Sequence, residues 1–371
     1  MAETKPSSEL APHLDSCRWH IRDGAWLLTD PSTAALRRNL QVVALGGGTG
    51  LPVVLRGLKA ELFPNGPAWV RTMDPRRLTA IVTVADDGGS TGRLRREYRL
   101  PASGDIRNCL IALSDGDPVL ARLFDFRFDG EAETAGHSLG NLILTALSKL
   151  GNGFDEAVEQ GGRLLTIQGQ VVPSTVQHVT LRAEFADGSA VSGESRVALT
   201  RRRIRRMLLE PSDARAVPQA LSALDAADLV VIGPGSLYTS LLPVLLVREI
   251  ADAIARSHAR VVLVVNLMTE PGETDGYSAV DHLEAIQAHV PQVRIHDVLL
   301  NSTPLRRELT EAYAARGAAP VPATPAALEA KGCRVVTRPL LATGVKIRHD
   351  AGKLAEAILD LGALDEEPSH V

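Results

Sequence analysis

The chain has 371 residues, 45% of them apolar and 23% charged, with a formal net charge of −4. That length can bury a large core, in one elaborate domain or two joined ones, and the composition is globular rather than disordered or fibrous. So balanced a charge argues against nucleic acid as a partner, because such binders carry a strong basic excess.

Residues 1–40 mix Pro, Ser, Asp and Arg with Trp19 and Trp26 and keep no sustained period. They read as an N-terminal extension, docked through its two tryptophans. The regular pattern begins at Gln41-Val42-Val43-Ala44-Leu45, a short buried-strand run ending in Gly46-Gly47-Gly48-Thr49-Gly50. Leu51 to Leu58 then has apolar residues at helical spacing, with Pro52 in the first turn, where proline is tolerated. The unit recurs at Leu78 to Ala85, at Leu229 to Ile232 and at Val261 to Val265, each run passing into a polar or glycine-rich loop. Short apolar strands alternating with helices predict βαβ units and a parallel sheet, with ligands collecting outside the carboxyl ends of the strands.

Two segments break this rhythm. Residues 105–165 read as mostly helical, and Val179 to Ser195 alternates around Asp187-Gly188, a two-residue hairpin signal. The expected fold is therefore α/β: a Rossmann-like, mostly parallel sheet with helices on both faces, plus a helical insertion and a β-hairpin. The expected division is an extension over 1–40, an α/β domain over 41–360 with inserted elements at 105–210, and a tail over 361–371. The five arginines within Arg201 to Arg206 read as a solvated helix face. Cys17, Cys109 and Cys333 lie far apart, which fits reduced thiols rather than disulfides or zinc. No stretch approaches the roughly 20 apolar residues of a membrane span, and no basic start leads into an apolar run. A soluble, cytoplasmic protein is expected.

The loops carry the chemistry. Gly47, Gly48, Thr49 and Gly50 let the backbone pass close to a bound group, with the next helix N-terminus offering N–H donors to an anion. The alternative is a tight turn with no ligand. The spacing is not the dinucleotide fingerprint, because the third glycine position holds Leu51, and this weakens a reading as an NAD(P) module. In Asp86-Asp87-Gly88-Gly89-Ser90-Thr91-Gly92-Arg93, the paired carboxylates Asp86 and Asp87 could hold Mg²⁺, bind a ribose or act as a base. Ser90 and Thr91 add hydroxyls, and Arg93 could neutralise phosphate; a helix cap and turn is the plainer reading. Asn108 and Asn141 can donate and accept at once, as a base edge or sugar hydroxyl requires. His137 is as well read as a cap as a ligand. Gly233, Pro234, Gly235 and Ser236 form a second candidate phosphate loop, and Asn266, with Thr269, Glu273, Thr274 and Tyr277, could line the same crevice, ordinary loop chemistry being the alternative. No GxSxG elbow, HExxH helix or P-loop GKS/T is present.

The ordered set GGGTG at 46–50, VADDGGSTGRLR at 84–95, GDIRNCL at 104–110, GHSLGNL at 136–142, IGPGSLYTS at 232–240, NLMTEPGETDGY at 266–277 and IRHD at 347–350 resembles the CofD-like superfamily. It is most similar to the YvcK branch, the gluconeogenesis factors. The resemblance implies a cytoplasmic, Rossmann-like regulator that binds UDP-sugars such as UDP-N-acetylglucosamine or UDP-glucose and influences cell-wall synthesis, cell shape and growth on gluconeogenic carbon sources. Carried over by motif, Thr49, Asn266 and Tyr277 would touch the nucleotide sugar. An unidentified protein partner is implied, and self-association is expected for so apolar a chain. The other branch holds the 2-phospho-L-lactate transferase, which uses Mg²⁺ and a nucleotide-activated donor; there Asp86 and Asp87 would be the metal or catalytic candidates. Residues 1–40 lie outside the shared pattern, and NSTPLRREL at 301–309 matches it loosely.

Overall fold

The computed structural model describes residues 18–22, 25–29, 40–64 and 74–363. In chain order its strands are β1 (Arg18–Arg22), β2 (Ala25–Thr29), β3 (Val42–Gly46), β4 (Leu78–Val82), β5 (Gln170–Pro173) and β6 (Thr180–Phe185). There follow β7 (Ala190–Ser192), β8 (Ile204–Glu210), β9 (Leu229–Ile232), β10 (Arg260–Val264), β11 (Asp297–Asn301) and β12 (Arg334–Arg338). β1 and β2 pair as an antiparallel hairpin inside the extension. The side chains of Trp19 and Trp26, on which docking was expected, lie outside the described residues.

Seven strands form one sheet in the order β12-β11-β10-β9-β3-β4-β5, and every pairing in it is parallel. Counted from β3, the chain builds outward through β4 to β5, then returns to β9 on the other side of β3 and builds outward to β12. This is the Rossmann order with one further strand. The reversal puts the right-handed crossovers on opposite faces of the sheet on the two sides of β3. Every residue of β3, β4 and β9 is buried, which is why those strands read as unbroken apolar runs rather than as alternation.

The insertion is as helical as its sequence, with helices Gly104–Leu113, Pro118–Asp125, Leu139–Leu150 and Phe154–Leu164. The hairpin around Asp187-Gly188 is formed by β6 and β7, and β8 pairs on the other edge of β6 to make a three-stranded antiparallel sheet. The arginine run corrects an expectation. It is not a helix face: Arg201–Arg203 form an irregular approach to β8, and Arg205 and Arg206 stand exposed on that strand. Burial of Ile204, Met207 and Leu209 against the small sheet, across a register shift opposite Glu184 and Phe185, overrides any helical preference of arginine.

Candidate functional site

β3 and β9 are neighbours in the sheet but far apart in the chain, and the loops leaving their carboxyl ends meet at the mouth of one crevice. One loop is Gly47 to Gly50, which runs into helix Leu51–Leu62 with Pro52 in its first turn. The other is Gly233 to Ser236. They press back to back: a Cβ on Gly50 would lie 2.1 Å from the Pro234 carbonyl oxygen, so only glycine admits this approach. Asn266, just beyond β10, fixes the second loop. Its Nδ2 donates to the Gly235 carbonyl at 2.9 Å and its Oδ1 accepts from the Gly235 N–H at 3.0 Å.

These loops enclose a cavity of about 420 Å³, lined by Gly48, Thr49, Gly50, Pro234, Gly235, Ser236, Asn266 and Thr269, and also by Glu270, Arg316, Arg348 and His349. Thr269 bridges to the far wall through its Oγ1, which accepts from the Ala319 N–H at 2.9 Å. Ser236 donates to the Glu270 carboxylate, whose pKa burial raises. Arg316 and Arg348 are exposed at the rim and form no ion pair among the described residues. His349 is buried, its Nε2 has no partner, and burial alone pushes its pKa down to about 4. A helix N-terminus, two backbone loops and two uncommitted guanidinium groups together make a site for an anion.

The other candidates gather elsewhere. Behind the first glycine loop lies a carboxylate cluster. Asp86 Oδ1 accepts from the Gly88 N–H at 2.8 Å, and Asp87 Oδ1 accepts from the Ser195 N–H at 2.8 Å. Asp105 accepts from the Gly48 N–H, yet burial, with the Asp86 charge nearby, raises its pKa to about 6. Glu194 is pushed to about 8 by burial and then by Asp86 and Asp87. One oxygen of each paired aspartate is thus taken by a backbone N–H, and Asp86 also accepts from the Thr91 hydroxyl, which leaves Asp87 the freer of the two for a cation. Among the described residues no group of three or more His, Cys, Asp or Glu is arranged to hold a metal ion.

A third group joins three helix N-termini. His137 Nδ1 pairs with Ser90 Oγ at 2.9 Å, Asn141 Nδ2 donates to Ser90 Oγ and Thr91 Oγ1 at 3.3 and 3.4 Å, and Arg107 donates to Asn108 Oδ1 at 2.7 Å. Arg93 donates to the Ala135 carbonyl, and Ser138 caps helix Leu139–Leu150. Most of these polar groups are engaged within the cluster or with nearby backbone, Arg107 Nε being buried without a partner, and none of them lines the crevice. Tyr277 also stands apart. Its hydroxyl pairs with that of Tyr238 at 2.8 Å, and its ring lines a separate cavity beside Arg201–Arg203.

The sequence profile of the family described as "2-phospho-L-lactate transferase CofD" matches residues 42–341, which takes in the whole sheet and both glycine loops and stops short of Arg348 and His349. The chain belongs to the CofD family. Within that family it is 42% identical to a protein named gluconeogenesis factor from Halalkalibacterium halodurans, over 86% of this chain and 95% of that one. It is likewise 42% identical to the Bacillus subtilis gluconeogenesis factor, over 86% and 98%. A crystal structure of a Bacillus halodurans protein described as a member of the upf0052 family superposes with a TM-score of 0.79 at 42% identity, covering 86% of this chain and 98% of that one. No helix among the described residues is long and apolar enough to cross a membrane.

Arg316, Arg348, His349, Glu270 and Asp105 are the site residues that motif reading passed over. Arg348 and His349 belong to the IRHD segment and Asp105 to GDIRNCL, so the signal lay in the motifs themselves; Arg316 lies in no motif.

Proposed function

We propose that the chain is a nucleotide-sugar-binding regulator of the gluconeogenesis-factor type, with UDP-N-acetylglucosamine or UDP-glucose seated in the crevice between β3 and β9. The observation that carries this reading is the cavity at the point of strand-order reversal. It is lined by two backbone loops and the N-terminus of helix Leu51–Leu62 and rimmed by Arg316 and Arg348. The diphosphate lies along Gly47 to Gly50 and Gly233 to Ser236, with the arginines closing over it. Ribose or uracil lies towards Asn266 and the sugar towards Thr269 and Glu270 in the same cavity, because Asp86 sits behind the glycine loop and Tyr277 borders a different cavity. The names of the relatives support a role in gluconeogenesis; cell-wall synthesis and cell shape as outputs, a cytoplasmic setting and a protein partner are the further parts of this proposal, carried by the motif resemblance alone.

The carboxylate cluster supports one other reading, a nucleotide-dependent transferase. Asp87, and less freely Asp86, would there offer a carboxylate oxygen to a Mg²⁺ that neutralises donor phosphates. Calorimetric titration with UDP-N-acetylglucosamine, UDP-glucose and GDP, each with and without Mg²⁺, separates the two. Saturable binding of the UDP-sugars without Mg²⁺, with no turnover, is expected. Preference for GDP with an absolute need for Mg²⁺ would establish the transferase instead.

A further inference from the structure

We propose that the cavity beside Tyr277 is a second binding site, taking a small anion that also carries a hydroxyl group, such as a phosphorylated polyol. It encloses about 260 Å³ between the Arg201–Arg203 approach to β8 and the segment Glu273 to Asp281. Neither wall belongs to the nucleotide crevice.

The charge arrangement defines the ligand. Arg201 holds a left-handed backbone conformation, φ 48°, uncommon for a residue with a side chain. It ends the turn before β8, and the three consecutive arginines of the irregular approach border one cavity. Arg202 is committed, to Asp187 at 3.4 Å and to Ser189 Oγ at 2.8 Å. The side chains of Arg201 and Arg203 form no hydrogen bond or close ion pair among the described residues, although the Arg203 backbone carbonyl accepts from the Ala186 N–H at 3.0 Å and its charge helps to lower the Asp281 pKa. The carboxylates facing them are mostly engaged: Asp275 Oδ2 accepts from the Gly272 N–H at 2.6 Å, and Asp281 Oδ2 from the Ser278 N–H at 2.7 Å.

Glu273 is the exception. Its side chain is 8% exposed, and Oε1 accepts from Thr239 Oγ1 at 2.9 Å, but Oε2 has no partner. A buried carboxylate oxygen without a donor is costly, and here it borders the same cavity as two uncommitted guanidinium groups. An anionic oxygen on Arg201 and Arg203, with a hydroxyl of the same molecule donating to Glu273 Oε2, satisfies all three. Tyr277, held by Tyr238, closes the side.

The test is calorimetric titration of the full chain with glycerol 3-phosphate, and with ethyl phosphate as the probe lacking hydroxyls. Saturable binding of glycerol 3-phosphate, tighter than that of ethyl phosphate, is expected. Replacing Arg201→Gln and Arg203→Gln together should weaken it at least about tenfold, the loss of one charge-assisted contact or more. Both residues are exposed, so the fold should tolerate this. Glu273→Gln should narrow the gap between the two probes. Saturating UDP-glucose should leave glycerol 3-phosphate binding unchanged, and the double variant should bind UDP-glucose as the wild type does. Absence of saturable binding, indifference to the double substitution, or displacement by UDP-glucose would each overturn the proposal. If UDP-sugars fail to bind but glycerol 3-phosphate behaves as stated, the nucleotide reading falls and this one stands.

Discussion

Asn266 and His349 border the same crevice, and their surroundings demand opposite things of them. Both polar atoms of Asn266 are committed to the Gly235 backbone, so it acts on a ligand by holding the second loop in place. Asn266→Ala should therefore weaken UDP-sugar binding at least about tenfold and also lower Tm, since two half-buried backbone groups of Gly235 lose their partner. His349 has a buried Nε2 with no partner, as a group kept for a ligand would. His349→Leu should weaken nucleotide binding while leaving Tm unchanged or raised, because removing an unsatisfied polar atom relieves a desolvation cost. Thermal melts with and without ligand distinguish the two patterns.

Glu194 gives a pH signature at the same scale. Burial and the neighbouring aspartates raise its pKa to about 8 from the usual value near 4.5. Between those two pH values the folded state holds a proton that the unfolded state has released. The stability this contributes is full below about pH 4.5 and is lost as pH rises through 8. Urea denaturation at pH 5 and pH 8 should show the wild type losing on the order of 2 kcal/mol more than Glu194→Gln over that interval. An equal change in the two proteins would contradict the assignment.

Among the elements, helix Leu51–Leu62 matters most, because its N-terminus faces the crevice and its far side packs on helix Ala351–Gly362. The contact depends on Gly57, where a Cβ would meet the Ala351 carbonyl oxygen at 1.9 Å. Gly57→Ala should cost about 1–3 kcal/mol through overpacking and, by tilting the helix, should weaken nucleotide binding as well. Legibility in the sequence also divides by element. β3, β4 and β9 are buried on both faces and stood out as apolar runs, whereas β12 is mostly exposed and begins and ends in arginine. Nothing in the period of β12 separates it from loop. The same reasoning explains the arginine run: composition suggested a helix face, but the buried positions Ile204, Met207 and Leu209 decide for a strand.

At the scale of the molecule, the motifs revealed that several loops matter but not how they are grouped. Glycine loops 46–50 and 233–236 meet because β3 and β9 are neighbours, a pairing between segments nearly 190 residues apart that no local pattern encodes. Ser90, Thr91, Asn108, His137 and Asn141 looked equally poised for a ligand. In three dimensions Ser90, Thr91, His137 and Asn141 bond to one another, Asn108 is held by Arg107, and together they brace the inserted helices. Tyr277, next to Asn266 in a single motif, borders a different cavity. Arg316 came from outside every motif, placed by the return of the chain past the crevice.

Hydrogen–deuterium exchange of the full chain, with and without saturating UDP-N-acetylglucosamine, tests the placement of the nucleotide most directly. Protection is expected at the backbone amides of residues 48–53 and 235–237, while residues 89–93 and 139–142 remain unchanged. Protection at the latter two segments with none at 48–53 would show that the nucleotide lies on the inserted helices and not in the crevice between β3 and β9.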